Sequence, residues 1–292
     1  MAKSIETFDF STLYTKIPHE KLIDTLSEFS DSTFNDTDRR FLSVSTKRAY
    51  FVKSTNGTNY KYSSDMVKEC LKYLIDNAYF KVGNHIFRQP IGIPMGSDPA
   101  PFFANLFLAY YEAKWVKDNV NHNYAKVKSL FNTFRYIDDL NTLNDNSVFS
   151  QHISEIYPPE LVLNKENSST TSATYLDLDI TITNNQFQYQ LYDKRTAFPF
   201  KIVRFPFKSS NIPQRMFFAT VQAEIIRISR ATSLFEHFLA SCKPFLLRMI
   251  NQGARKADLI KPLSRIINCH HTELTKYNSN KDHILKEILK LI

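Results

Sequence analysis

The run Tyr136-Ile137-Asp138-Asp139-Leu140 sets two adjacent carboxylates among aromatic and apolar neighbours. Asp is common in turns, but such flanks make a poor exposed turn. A β-hairpin over Phe131–Leu143 with the acids at its tip is therefore predicted. Carboxylates gathered at one spot repel each other unless a cation lies between them. A further acid, Asp9, stands in another strand-like run, Ile5–Phe10. Two divalent ions ~3.5–4 Å apart, held by carboxylates, form a clamp suited to in-line phosphoryl displacement.

Strand alternation puts Phe134, Tyr136 and Asp138 on one face and Asp139 on the other. Asp138 is thus the first candidate to share metals with Asp9, and Asp139 an outer ligand. A carboxylate ending a strand, as in Asp9-Phe10-Ser11-Thr12-Leu13-Tyr14, projects into the crevice beyond it. A backbone carbonyl beside it can complete an oxygen-rich Mg²⁺ shell. Tyr14 can pack beneath a nucleotide sugar and crowd a 2′-hydroxyl. A lone Asp9 also serves as a helix cap or turn residue.

The segment Gln89 to Pro101 joins turn formers to an immediate helix start. In a chain with only 5 glycines, Gly92 and Gly96 so close together point to something large approaching the backbone. A template base and a nucleotide are the candidates; a plain hairpin-to-helix connection is the alternative. Lys165, in Leu163-Asn164-Lys165, has the chemistry to protonate or neutralise a departing pyrophosphate. Asp177 and Asp179 read as solvent-facing residues of one strand.

Periodicity predicts a helix from Pro18 to about Phe29, a hairpin over Arg40–Lys61 turning at Asn56-Gly57, and a helix capped by Ser64. A hairpin over Tyr79–Arg88 turning at Gly83-Asn84 follows, then a helix from Pro99 to about Asp118 buried on more than one side. Beyond the acid pair come a short helix near Val148–Tyr157 and strands at Thr174–Thr183 and Gln186–Tyr192. From Gln214 the pattern is helical, with breaks predicted at Pro244, Gly253 and Pro262. The longest apolar run, Pro101 to Tyr111, is about half a bilayer span. Three dispersed cysteines fit a reducing compartment.

Charge is divided unevenly. Residues 1–193 hold 19 Lys and Arg against 23 Asp and Glu, whereas residues 194–292 hold 18 against 6. A basic second part after a near-neutral first fits a region that grips phosphate backbone; a solvated lysine-rich helical face is the plainer reading. Arg227, Arg230, Lys243, Arg248, Arg255 and Lys256 are its candidate nucleic-acid contacts, with Lys261 and Arg265 nearby.

The order of these segments resembles the palm motifs of reverse transcriptases. The wording from Gly92 to Leu108 is similar to that of Penelope-like retroelement reverse transcriptases, and the likeness runs from about residue 6 to 250. It implies an α+β fold: a polymerase palm of antiparallel sheet backed by helices over 1–205, then an all-helical, basic, thumb-like region over 206–292. On this resemblance the fingers would be largely missing, because eight residues precede Asp9. Nothing after residue 250 resembles a GIY-YIG endonuclease module.

The resemblance also implies Asp9, Asp138 and Asp139 as the catalytic triad for two Mg²⁺ ions, with Mn²⁺ as a substitute. Phe10 and the sugar gate Tyr14 would line the nucleotide pocket with Pro94, Met95 and Gly96, and Lys165 would lie near the triphosphate. The implied activity is RNA-directed DNA polymerisation in the nucleus, using an RNA template, a DNA primer and deoxynucleoside triphosphates, without a membrane. The alternative is a truncated, inactive remnant that binds RNA–DNA duplex through its basic helices.

Overall fold

In β1 (Ile5–Phe10), alternation buries Phe8 and Phe10 in an apolar cluster and turns Asp9 to the opposite face. A computed structural model describes the chain except Thr37, Asn146 and Lys201, and the side chains of Thr196, Ala197 and His271. Two compact units result: Phe8–Glu166, and Met1–Thr7 with Asn167–Ile292.

In the first unit, α1 (Leu13–Lys16) and α2 (His19–Asp36) follow β1. The predicted Arg40–Lys61 hairpin is instead three strands, β2 (Phe41–Val44), β3 (Ala49–Val52) and β4 (Tyr60–Tyr62), ordered β3-β2-β4. Its tight turn is at Ser45–Arg48, where the Ser45 N–H donates to Arg48 O at 2.9 Å. The cap of α3 (Ser64–Asp76) is Ser63, whose hydroxyl accepts from the Met66 N–H at 3.3 Å. Ser64, expected in that role, donates to Asp31 instead at 2.6 Å.

The hairpin β5 (Tyr79–Val82) and β6 (His85–Arg88) matches its prediction. Next, α4 (Ala100–Val120) buries one stripe, Ala100, Phe103, Ala104, Phe107, Leu108 and Trp115. Phe102 and Val116 are exposed, so the helix is not buried on several sides as its apolar composition suggested. After α5 (Tyr124–Ser129) come β7 (Thr133–Tyr136), β8 (Asp139–Leu143), α6 (Val148–Ile156) and β9 (Leu163–Lys165). The central sheet runs β7-β8-β1-β9. Phe8, Phe10, Leu140 and Leu163 pack on the cluster to which α4 contributes Phe103, Phe107 and Leu108.

The second unit holds the antiparallel sheet of β10 (Ser172–Tyr175), β11 (Leu178–Thr183) and β12 (Gln186–Leu191). The single strand predicted over Thr174–Thr183 is broken by a turn at Leu176, where φ is +53°. Then come α7 (Gln214–Arg230), α8 (Phe235–Asn251), α9 (Lys256–Cys269), α10 (His271–Leu274) and α11 (Lys281–Lys290). Pro244 and Pro262 lie inside α8 and α9 and do not end them. Gly253 does mark a break, and another falls at 231–234.

This unit has its own core, including Phe217, Ile225, Phe238, Leu246, Leu263 and Ile284. Residue 205 falls inside it rather than at an edge. The sheet and helices cohere because Tyr189 O accepts from the Ser233 N–H at 2.9 Å, while the Tyr189 N–H donates to Ser233 Oγ at 2.9 Å. Among the described residues, no helix is long and apolar enough to cross a membrane.

Candidate functional site

Pairing Tyr136 with Asp139 closes the β7–β8 hairpin and leaves Ile137-Asp138 as a two-residue loop. Ile137 has φ +56°, a left-handed value that a β-branched side chain rarely adopts. The Phe10 N–H, at the end of β1, donates to Asp138 O at 3.1 Å. With β1 next to β8 in the sheet, this bond sets the strand end that follows Asp9 against the acid-bearing turn.

The turn alters the predicted faces. Asp138 lies in the loop and belongs to neither face of the strand. Asp139 is cross-strand from Tyr136 and shares its face, whereas Leu140 is cross-strand from Arg135. Because Leu140 and Phe10 face the core, Asp139 and Asp9 both lie on the face away from it. The three acids are half-buried. Among the described residues, no three His, Cys, Asp or Glu side chains form a group that could hold a metal ion. What converges is one strand end and one turn, carrying hard oxygen donors of the kind Mg²⁺ takes.

Tyr14 belongs to the same locality. Its phenol is pushed above its ordinary value first by partial burial and then by the Asp138 carboxylate. The ring of Phe10 is buried, edge-on to Tyr157 with centroids 4.9 Å apart. What Phe10 presents beside Asp138 is its backbone N–H.

The Gln89–Pro101 segment is fastened beside Tyr14. The Ile93 N–H donates to Tyr14 O and the Gly92 N–H to Ile17 O, both at 2.8 Å. Buried His19 bonds through Nε2 to Gly92 O at 2.8 Å. Gly92 has φ +83°, and a Cβ there would sit 2.3 Å from Tyr14 O. The close approach anticipated from the glycines is thus, at Gly92, the chain's own backbone. Gly96, at φ +93°, has nothing within 4 Å of a built Cβ. Pro94 is half-buried, while Met95 and Gly96 are exposed, and Pro94 helps line a cavity of about 260 Å³.

Lys165 pairs with Phe8, while Asn164 is the partner of Asp9. Cross-strand partners share a face, so pairing does not carry Lys165 to the Asp9 side.

In the second unit, three of the six candidate nucleic-acid contacts are held by acids. Arg227 pairs with Asp177 at 2.6 Å and Glu224 at 2.9 Å, Arg230 with Glu273 at 2.6 Å, and Arg255 with Asp258 at 2.9 Å. Lys243 and Lys256 are exposed. Burial, then Arg195, lowers the guanidinium pKa of half-buried Arg248. Arg215, Lys261 and Arg265 line a groove of about 670 Å³ with Phe218, Gln222 and Asp258, all on α7 and α9.

Sequence reading missed the support behind the acid pair. Arg135 forks onto Glu112, Nε to Oε1 at 2.6 Å and Nη2 to Oε2 at 3.1 Å. Its Nη1 donates to Asn105 Oδ1 at 2.7 Å and to Ile137 O at 3.1 Å. The available signal was Asn105 and Glu112 in and just after the apolar run of α4, seven apart and hence on one side of the helix.

No family model and no curated protein matches the chain. Solved telomerases do. Telomerase from Candida albicans, in complex with a TWJ fragment of telomeric RNA, aligns over 99% of this chain and 48% of that one, at 12% identity and TM-score 0.62. The fold is telomerase-like. Telomerase from Candida tropicalis with the same kind of RNA fragment aligns over 99% of this chain and 49% of its own, at 15% identity and TM-score 0.45. The chain thus spans about half the length of the telomerase chains.

Gly92→Ala is expected to cost more than about 3 kcal/mol, by combining a backbone collision with a positive φ; thermal unfolding against wild type measures it, and a loss under 1 kcal/mol would contradict the docking of this segment. Asp138→Asn removes a negative charge that opposes the Tyr14 phenolate. Tyr14 should therefore titrate lower in that variant, yet stay raised by burial, as followed by NMR of ¹³C-labelled tyrosine assigned with Tyr14→Phe. An unmoved Tyr14 would separate it from the acid pair.

Proposed function

We propose that this chain is the RNA-directed DNA-polymerising part of a mobile-element reverse transcriptase of the Penelope-like kind. The observation that carries the reading is the junction of β1 with the Ile137-Asp138 turn, beside Tyr14 and the Gly92 segment. The telomerase-like fold, that of a reverse transcriptase-related polymerase, supports it. So does the motif order from Asp9 to Leu178.

On this reading the unit Phe8–Glu166 holds the palm chemistry. Asp9 and Asp138 would hold Mg²⁺, and Asp139, on the Asp9 face, would complete or order the donor set. When bound, a Mg²⁺ pair supplies charge stabilisation for displacement of pyrophosphate by a primer 3′-hydroxyl. Tyr14 packs under the nucleotide sugar, and its raised pKa keeps it a neutral phenol. Pro94, Met95 and Gly96 present a surface to the base, with the Gly92 junction holding it in place. Lys165, exposed at the end of β9, is the candidate to neutralise the departing pyrophosphate.

The helices of the second unit serve as the thumb. Phosphate contacts there fall to Arg215, Lys261 and Arg265 along the α7–α9 groove, with Lys243 and Lys256, rather than to the ion-paired Arg227, Arg230 and Arg255. A second reading, binding of RNA–DNA duplex without polymerisation, is favoured by one observation: no group of three acids that could hold a metal forms among the described residues.

Primer extension on an RNA template with Mg²⁺ separates the two. Asp138→Asn should lower the rate by about 100-fold or more, as losing a shared metal ligand costs several kcal/mol of transition-state stabilisation; a change within about threefold contradicts the metal assignment. In parallel, duplex binding should survive Asp138→Asn. Replacing Arg215, Lys261 and Arg265 by Ala should flatten its dependence on log salt by roughly three units. Binding without any extension by the wild-type chain would leave the second reading standing.

A further inference from the structure

We propose that Arg135 is a positioning residue: clamped by Asn105 and Glu112 of α4, it holds the Ile137-Asp138 turn in its left-handed conformation and so aims the Asp138 carboxylate. The purpose assigned to the turn rests on the polymerase reading; the clamp itself does not.

The need for a clamp follows from the residue at the turn. The φ of +56° at Ile137 would normally be given to glycine in a two-residue hairpin loop. A β-branched residue holds it only where its surroundings over-determine it. Two contacts do so. Arg135 Nη1 donates to Ile137 O at 3.1 Å, and the Phe10 N–H donates to Asp138 O at 3.1 Å. The carbonyls of both loop residues are thereby pinned, one from the helix-backed side by a guanidinium and one from the neighbouring strand.

Arg135 is in turn immobilised. Glu112 takes two of its donors and Asn105 Oδ1 a third, and only 11% of its side chain is exposed. The Tyr157 hydroxyl donates to Glu112 Oε1 at 2.8 Å, fixing the carboxylate from behind. Burial, then Glu112 itself, raises the Tyr157 pKa well up, which keeps that hydroxyl a neutral donor. An ion pair serving stability alone would be complete with Glu112. Here one arm of the planar fork goes to the main chain of the strained residue, a geometry that a lysine point charge cannot reproduce. A cavity of about 300 Å³ lined by Glu112, Thr133, Arg135 and Tyr157 adjoins the clamp. It offers a truncated side chain room to be replaced by a small guanidinium.

The test is amide hydrogen exchange of the whole chain, read at residues 138–140 and, as a control, in α7–α9. Arg135→Ala should speed exchange at the turn about tenfold, losing a charge-assisted bond, and leave the control within about twofold. Arg135→Lys should not restore it. Ethylguanidinium at about 10 mM should restore Arg135→Ala and do nothing for Asp138→Asn. Should Arg135→Ala not fold, Glu112→Gln, which keeps the shape and removes the charge, should move the turn in the same direction by about threefold.

Primer extension by the same variants should show kcat reduced about tenfold with the nucleotide KM within about threefold, and kcat rescued by ethylguanidinium. Wild-type exchange rates at the turn in a folded Arg135→Ala or Glu112→Gln protein would overturn the clamp. A wild-type chain that extends no primer would instead overturn the polymerase reading, with the exchange result still deciding the clamp.

Discussion

Where β1 lies beside β8 in the central sheet, the main-chain hydrogen bond from the Phe10 N–H to Asp138 O ties the N-terminal strand to a turn far along the polypeptide. Everything proposed for the site depends on that junction. It puts Asp9 next to the acid pair, and it requires Phe8 and Phe10 to be anchored in the core so that Asp9 faces away. The same core packing fixes Leu140, and through the pleat it decides the side taken by Asp139. Burial of a few aromatic and aliphatic side chains on one face thus sets the geometry of the carboxylates on the other. That is the ordinary economy of a sheet with one covered face.

Much of the first unit could be read from the chain because its turns are written in adjacent residues. Gly83-Asn84 announces the β5–β6 hairpin, and the aromatic flanks of the acid pair announce β7–β8. The faces of the acids could not be read. Which two residues form the loop was undetermined, and a shift of one residue exchanges the faces of every side chain. Ile137 gives no hint that it sits at positive φ, since the reason lies in Arg135 and in α4. The role of Gly92 was half legible: close approach was implied, but not that the approaching group is Tyr14 O.

In the basic half, too, the partners of the charges could not be read from the chain. A count of arginines shows charge but not its partners: Asp177 and Glu273 meet theirs only through tertiary packing, and Asp258 meets Arg255 in the first turn of α9. Pro244 and Pro262 remain inside α8 and α9 because neighbours such as Leu246, Leu259 and Leu263 are fully buried. Burial on that scale outweighs the local penalty of a proline. The predicted strand over Thr174–Thr183 failed where Leu176, with no glycine to mark it, turns the chain.

Tyr14, the Gly92 segment, the Ile137 turn and the α4 clamp all surround one small region, and the account makes that region a cation site. Anomalous diffraction from crystals of the whole chain soaked in Mn²⁺ tests this most directly. The account predicts a peak about 2–2.6 Å from carboxylate oxygens of both Asp9 and Asp138. A peak elsewhere, or none while both side chains are well ordered at millimolar Mn²⁺, would contradict it.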